Sequence, residues 1–125
     1  MPERDERIVE SVSVHPLAGQ RVRACDYPDL EQIKKAYNET IPCIDEPAQR
    51  VSFGTSGHRG KAMDGSFTAL HVGAVVQAIC NLRQSFGASG PVFVGADTHY
   101  LSQLAYQTTL NVLAYNQIAA CTDCE

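Results

Sequence analysis

The chain has 125 residues, a mass of 13.6 kDa, 44% hydrophobic residues and 19% charged residues, the composition of one globular domain or a part of one. This excludes the disordered class, and a formal net charge of −4 gives no basic surplus to draw the chain to nucleic acid or to an acidic membrane. Five cysteines, a charged Met1–Arg7 start without a signal-peptide pattern, and no apolar run near the ~20 residues that span a bilayer indicate free thiols and a cytoplasmic setting.

Residues 1 to about 28 mix charges with Pro16 and Gly19 and show no sustained period, so they are read as an irregular extension. Leu30, Ile33 and Tyr37 recur at helical spacing behind Asp29, which suits an N-cap; a short amphipathic helix is expected there. Pro42 and Pro47 then break it and lead as an extended connector toward Arg50–Phe53, read as a first strand. The expected division is an extension with helix and linker over residues 1–48, and a packed unit over residues 49–125.

The most chemically loaded stretch follows. Phe53-Gly54-Thr55-Ser56-Gly57-His58-Arg59-Gly60 holds three glycines, two hydroxyls, an imidazole and a guanidinium in eight residues. Glycine lets backbone amides approach an anion without an intervening Cβ, and arginine offers a planar fork for phosphate oxygens. The composition points to an anion site for phosphate; the bland alternative is an ordinary turn with an exposed arginine.

Lys61–Gly65 reads as a polar turn, with Asp64 or Ser66 able to cap what comes next. Val72, Val75, Val76, Ile79, Leu82 and Phe86 recur at helical spacing, and Gly87 and Gly90 end that helix. Pro91–Gly95 is a short apolar run of the kind expected for a strand covered on both faces. Leu101, Leu104, Ala105, Thr108, Val112 and Tyr115 form a second helical stripe, and Ile118–Cys121 starts a third strand. Strands alternating with helices through short connections predict an α/β fold with a mostly parallel sheet, whose ligands sit at the carboxyl ends of the strands. Gly54–Gly60 and Gly95–His99 both fall at such ends, so the two are expected to meet.

Phe53–Gly60, followed by a long helix and then Val94-Gly-Ala-Asp-Thr-His-Tyr-Leu-Ser102, resembles the first domain of the α-D-phosphohexomutases, in the form met in bacterial phosphoglucomutases. The resemblance implies a three-layer α/β/α sandwich, incomplete here at its C-terminal end. It implies an isomerase reaction of the intramolecular phosphotransferase type in glucose metabolism. A phosphoserine converts glucose 1-phosphate to glucose 6-phosphate through glucose 1,6-bisphosphate, with Mg²⁺ held by an Asp-rich loop of a second domain. Carried onto this chain, it implies that Arg59 supports the transferring phosphoryl group, with His58 as a second-sphere donor. Thr55, Ser56, Gly57 and Gly60 would shape a phosphate-binding loop, and Asp97, Thr98 and Ser102 a second loop in which Asp97 is the anchor. His99 stands where the family often has arginine.

The departure from the family pattern is as informative. The nucleophilic serine loop, the metal loop and the sugar-selecting loop have no counterpart in these residues, and Ser56 lies in the wrong loop to replace the nucleophile. The 125-residue chain is therefore expected to be inactive alone and to bind no Mg²⁺ or bisphosphate by itself. Its expected partners are a hexose phosphate and the remaining mutase domains of the same longer polypeptide, with no nucleic acid and no membrane. A second reading is a non-catalytic module that binds sugar phosphate or docks on a mutase. A third, redox, rests on Cys121-Thr-Asp-Cys124, but a lone C-x-x-C supplies only two of the four ligands of a structural zinc. His15 and His71 are given no role beyond structure or surface.

Overall fold

A computed structural model describes residues 14–122, with the element order α1 Leu30–Glu39, β1 Phe53–Gly54, β2 Gly57–His58, α2 Ala69–Ser85, β3 Val92–Val94, α3 Tyr100–Tyr115 and β4 Ala120–Thr122. The segment before α1 is exposed, with one turn of 3-10 helix at Ala24–Asp26 closed by an Arg23–Asp26 ion pair of 2.9 Å. His15 is exposed there, its ring accepting from the Leu17 amide. Cys124 lies outside the described residues; Cys121 is exposed and its thiol is free.

The first helix starts where the sequence places its cap. The Asp29 carboxylate accepts from the Gln32 N–H at 3.1 Å, satisfying one of the amides a helix start leaves without a partner. Asp29→Ala is expected to cost about 1 kcal/mol, read as a lower denaturant midpoint with an unchanged slope. Tyr37 is 1% exposed and packs with Ala62 and Leu101, while its hydroxyl pairs with that of Thr108 on α3 at 3.0 Å. The helix of the N-terminal segment thus shares a core with the unit that follows it. The connector is held by Gln49, whose side chain accepts from the Cys43 amide at 2.8 Å and donates to the Asp64 carbonyl at 3.1 Å.

The long helix begins at a different cap from the one expected. Asp64 and Ser66 bond to each other inside the preceding turn, and Thr68 is the N-cap of α2. Turn closure competes for the short polar side chains and wins. The helix ends as its glycine predicts: Gly87 has φ +63°, the Ala88 N–H donates to the Arg83 carbonyl and the Gly87 N–H to that of Gln84. This pairing satisfies the last carbonyls and needs a left-handed residue at that point.

The strands correct the sequence reading in two respects. Arg50–Phe53 does not join the parallel sheet: β1 pairs antiparallel with β2, Phe53 opposite His58 and Gly54 opposite Gly57, so the glycine loop is itself a hairpin. Thr55 and Ser56 form its turn and Gly57, at φ +103°, brings the chain back. The parallel sheet is the pair β3–β4, in register Val92–Ala120, Phe93–Cys121 and Val94–Thr122, with α3 as the crossover.

The second correction concerns β3, which is not covered on both faces. Val92 and Val94 pack with Val76 and Cys80 of α2 and Leu113 of α3, but Phe93 points the other way and is 79% exposed. Side chains alternate along a strand, and among the described residues the helical layer covers one face of the pair. Tyr115, expected on the packed stripe of α3, is 87% exposed; Leu113 holds the buried position. Val72 touches both clusters, so the core is continuous from Tyr37 to Leu113.

Candidate functional site

The hairpin and the loop after β3 come together in space. An open cleft of about 460 Å³ is lined by His58, Arg59 and Gly60 from the first stretch, by Asp97, His99, Leu101 and Ser102 from the second, and by Phe67 and Ala105. The two motifs, separated by a 17-residue helix, form opposite walls of one site.

On the hairpin wall, His58 turns inward and Arg59 outward. The His58 ring donates from Nε2 to the Ser66 carbonyl at 2.9 Å, and Nδ1 faces the Ser52 N–H and carbonyl, each at 3.2 Å. The ring stacks with Phe67, at 6.0 Å between centroids, and with His71, at 5.1 Å. His58 is thus committed to holding the loop. Arg59 is exposed, lines the cleft and makes no hydrogen bond or ion pair with the described residues.

The opposite wall is built at the start of α3. The His99 N–H donates to Asp97 Oδ1 at 3.0 Å, the Ser102 hydroxyl donates to the same carboxylate, and His99 Nδ1 accepts from the Leu101 N–H at 3.2 Å. Asp97 therefore ties the loop to the first turn of α3. The N-cap is His99, whose imidazole reaches the Leu101 amide, while Ser102 lies in the first helical turn. His99 thereby acquires the role the sequence left open.

Donation from Ser102 first, then from the His99 amide, with a smaller attraction from the His99 ring, holds the Asp97 carboxyl below its ordinary value of 3.8. A depressed carboxylate contributes to order at pH values above its unfolded value and loses that contribution as pH falls through the folded one. The loop at residues 97–102 is therefore expected to loosen only on acidification below 3.8, seen as loss of exchange protection at the His99 and Ser102 amides. Loosening already at neutral pH would contradict this.

The cleft does not gather every residue expected of it. Thr55 and Ser56 form the exposed turn of the hairpin and Gly57 the start of β2, and none of the three lines the cleft, nor does Thr98. Gly60 lines the cleft, yet the structure shows a packing reason for its lack of a side chain: a Cβ would lie 2.4 Å from the Ser66 carbonyl oxygen. Phe67, His71 and Leu101 were absent from the expected set. The Thr68-x-x-His71 spacing is that of a capping box with histidine in place of Glu or Gln, which is the signal that marked His71.

A guanidinium bonded to none of the described residues has the donor geometry that suits a phosphoryl group. The cleft does not fit a metal: Asp97 is the one carboxylate in the cleft and already accepts twice, and no group of three or more His, Cys, Asp or Glu among the described residues is placed to hold an ion.

The cleft thus sits on an α/β scaffold, between the β1–β2 hairpin and the start of α3. Residues 50–122 match the model of phosphoglucomutase/phosphomannomutase, alpha/beta/alpha domain I, and the chain belongs to that family. It is similar to a phosphoglucomutase of Komagataeibacter xylinus, 37% identical over 113 residues, which are 90% of this chain and 20% of the relative. The chain thus spans about a fifth of the length of that relative. No helix among the described residues is long and apolar enough to cross a membrane.

Proposed function

We propose that this chain supplies the first domain of a phosphoglucomutase interconverting glucose 1-phosphate and glucose 6-phosphate through a phosphoserine and glucose 1,6-bisphosphate. The observation that carries the reading is Arg59, unpaired with any described residue and facing Asp97 and Ser102 across one cleft. Phosphoryl transfer needs little covalent help from the protein; positioning and charge stabilisation supply most of the catalysis. Arg59 gives two parallel N–H donors to oxygens of the transferring group, the geometry that phosphate favours. His58 fixes the backbone from which Arg59 projects, and the Asp97–Ser102 pair fixes the far wall.

The phosphoserine and the donors for Mg²⁺ are assigned to other segments of the full polypeptide. When bound, Mg²⁺ would neutralise charge on the phosphoryl oxygens. The experiment is a coupled assay of glucose 1-phosphate conversion by the full-length polypeptide that carries this chain, with mannose 1-phosphate as competitor. Conversion of glucose 1-phosphate, with none by residues 1–125 alone, is the expected outcome. A full-length polypeptide inert toward both sugars overturns the reading.

A further inference from the structure

His71 takes no part in the cleft, yet it is 3% exposed and every polar atom of its ring is used. Its Nδ1 faces the Thr68 N–H at 3.1 Å and the Thr68 hydroxyl at 3.0 Å. An amide N–H can only donate, so Nδ1 is the acceptor and the hydrogen sits on Nε2, which donates to the Gln49 carbonyl at 2.7 Å. These two bonds lock the ring between the start of α2 and the connector that enters the hairpin. A hydrogen on Nδ1 would set two donors against each other, so the surroundings permit one tautomer.

The locked ring meets the catalytic wall at one place. It lies against His58 at 5.1 Å between centroids and 20° between planes. His58 directly precedes Arg59, and both line the cleft. Whatever holds the His58 ring therefore also holds the backbone from which Arg59 projects. We infer that His71 is a positioning residue for the phosphoryl site, holding His58, and through it Arg59, by ring stacking while its hydrogen bonds fix the ring. This rests on the reading that Arg59 binds a phosphoryl group.

Two substitutions separate positioning from stability. His71→Asn keeps an acceptor for the Thr68 N–H and so preserves the helix start, but removes the ring from His58. His71→Phe keeps a ring against His58 and removes both hydrogen bonds. The full-length polypeptide, labelled with ¹⁵N on histidine and arginine, is titrated with inorganic phosphate, read at the Arg59 Nε–H and His58 ring signals, and melted in parallel.

A crossed pattern is expected. His71→Asn weakens phosphate binding by roughly tenfold to a hundredfold with the smaller fall in melting temperature. His71→Phe melts lower but binds within about threefold of wild type. Phosphate affinity that follows melting temperature in both variants, or wild-type affinity in His71→Asn, overturns the inference. A hydrogen on Nδ1 of wild-type His71 overturns it too. If His71→Phe does not fold, the Asn variant and the tautomer decide. Arg59→Ala read at His58 is the separate control: unchanged phosphate binding there would sink the phosphoryl reading, whatever the His71 variants do.

Discussion

Arg59→Ala in the full-length polypeptide lowers kcat/KM for glucose 1-phosphate by roughly 10²–10³-fold, the usual effect of removing one preorganised donor from a developing charge. The melting temperature stays near that of wild type. Both halves of the expectation come from the same observation. Arg59 is exposed and bonded to none of the described residues, so the fold has nothing to lose, and surface substitutions of that kind fall within about 0.5 kcal/mol. Arg59 lines the cleft, so the chemistry has much to lose. Arg59→Lys recovers only part of the activity, because an ammonium keeps the charge but not the two parallel donors. Steady-state kinetics beside a thermal melt decides the matter: near-normal turnover by the alanine variant would remove Arg59 from the site.

Gly60→Ala destabilises the fold by about 1–3 kcal/mol, the cost of overpacking a filled position. A Cβ there would stand 2.4 Å from the Ser66 carbonyl oxygen, 2.6 Å from its carbonyl carbon and 2.6 Å from its hydroxyl. Two of the three are backbone atoms, so a rotamer change cannot relieve the contact. The same carbonyl accepts from His58 Nε2, and displacing it disturbs the histidine that backs Arg59. Gly54→Ala is the internal control: nothing lies within 4 Å of its Cβ position and its φ is ordinary. Denaturant midpoints of the two variants should separate clearly. Equal midpoints would mean that the Gly60–Ser66 approach is not a constraint.

Much of the local structure was legible from residue order. Asp29 caps α1, Gly87 ends α2, and β3, α3 and β4 follow where periodicity and glycines place them, because these features depend on neighbours three or four positions away. That the two motifs would meet was legible as well, and they line one cleft. Other assignments failed where competition among nearby groups decided the outcome. Asp64 and Ser66 had the right composition for a cap but bonded to each other, and Arg50–Phe53 had strand composition but lies in and beside a hairpin whose partner is only four residues on. Turn geometry set that pairing, and a one-dimensional pattern does not record it.

By itself the amino-acid order determined the order of the helices, the start of α1, the end of α2 and the α/β class. Tertiary structure alone decided that Arg59 and Asp97 face one cleft while Thr55, Ser56 and Thr98 do not, that Gly60 is required by Ser66, and that His71 is buried against His58. The physical reason is range. Capping, periodicity and side-chain chemistry act within a turn of the chain, whereas a cleft forms only when packing of α2 and α3 through Val72, Val76 and Leu113 brings distant loops together.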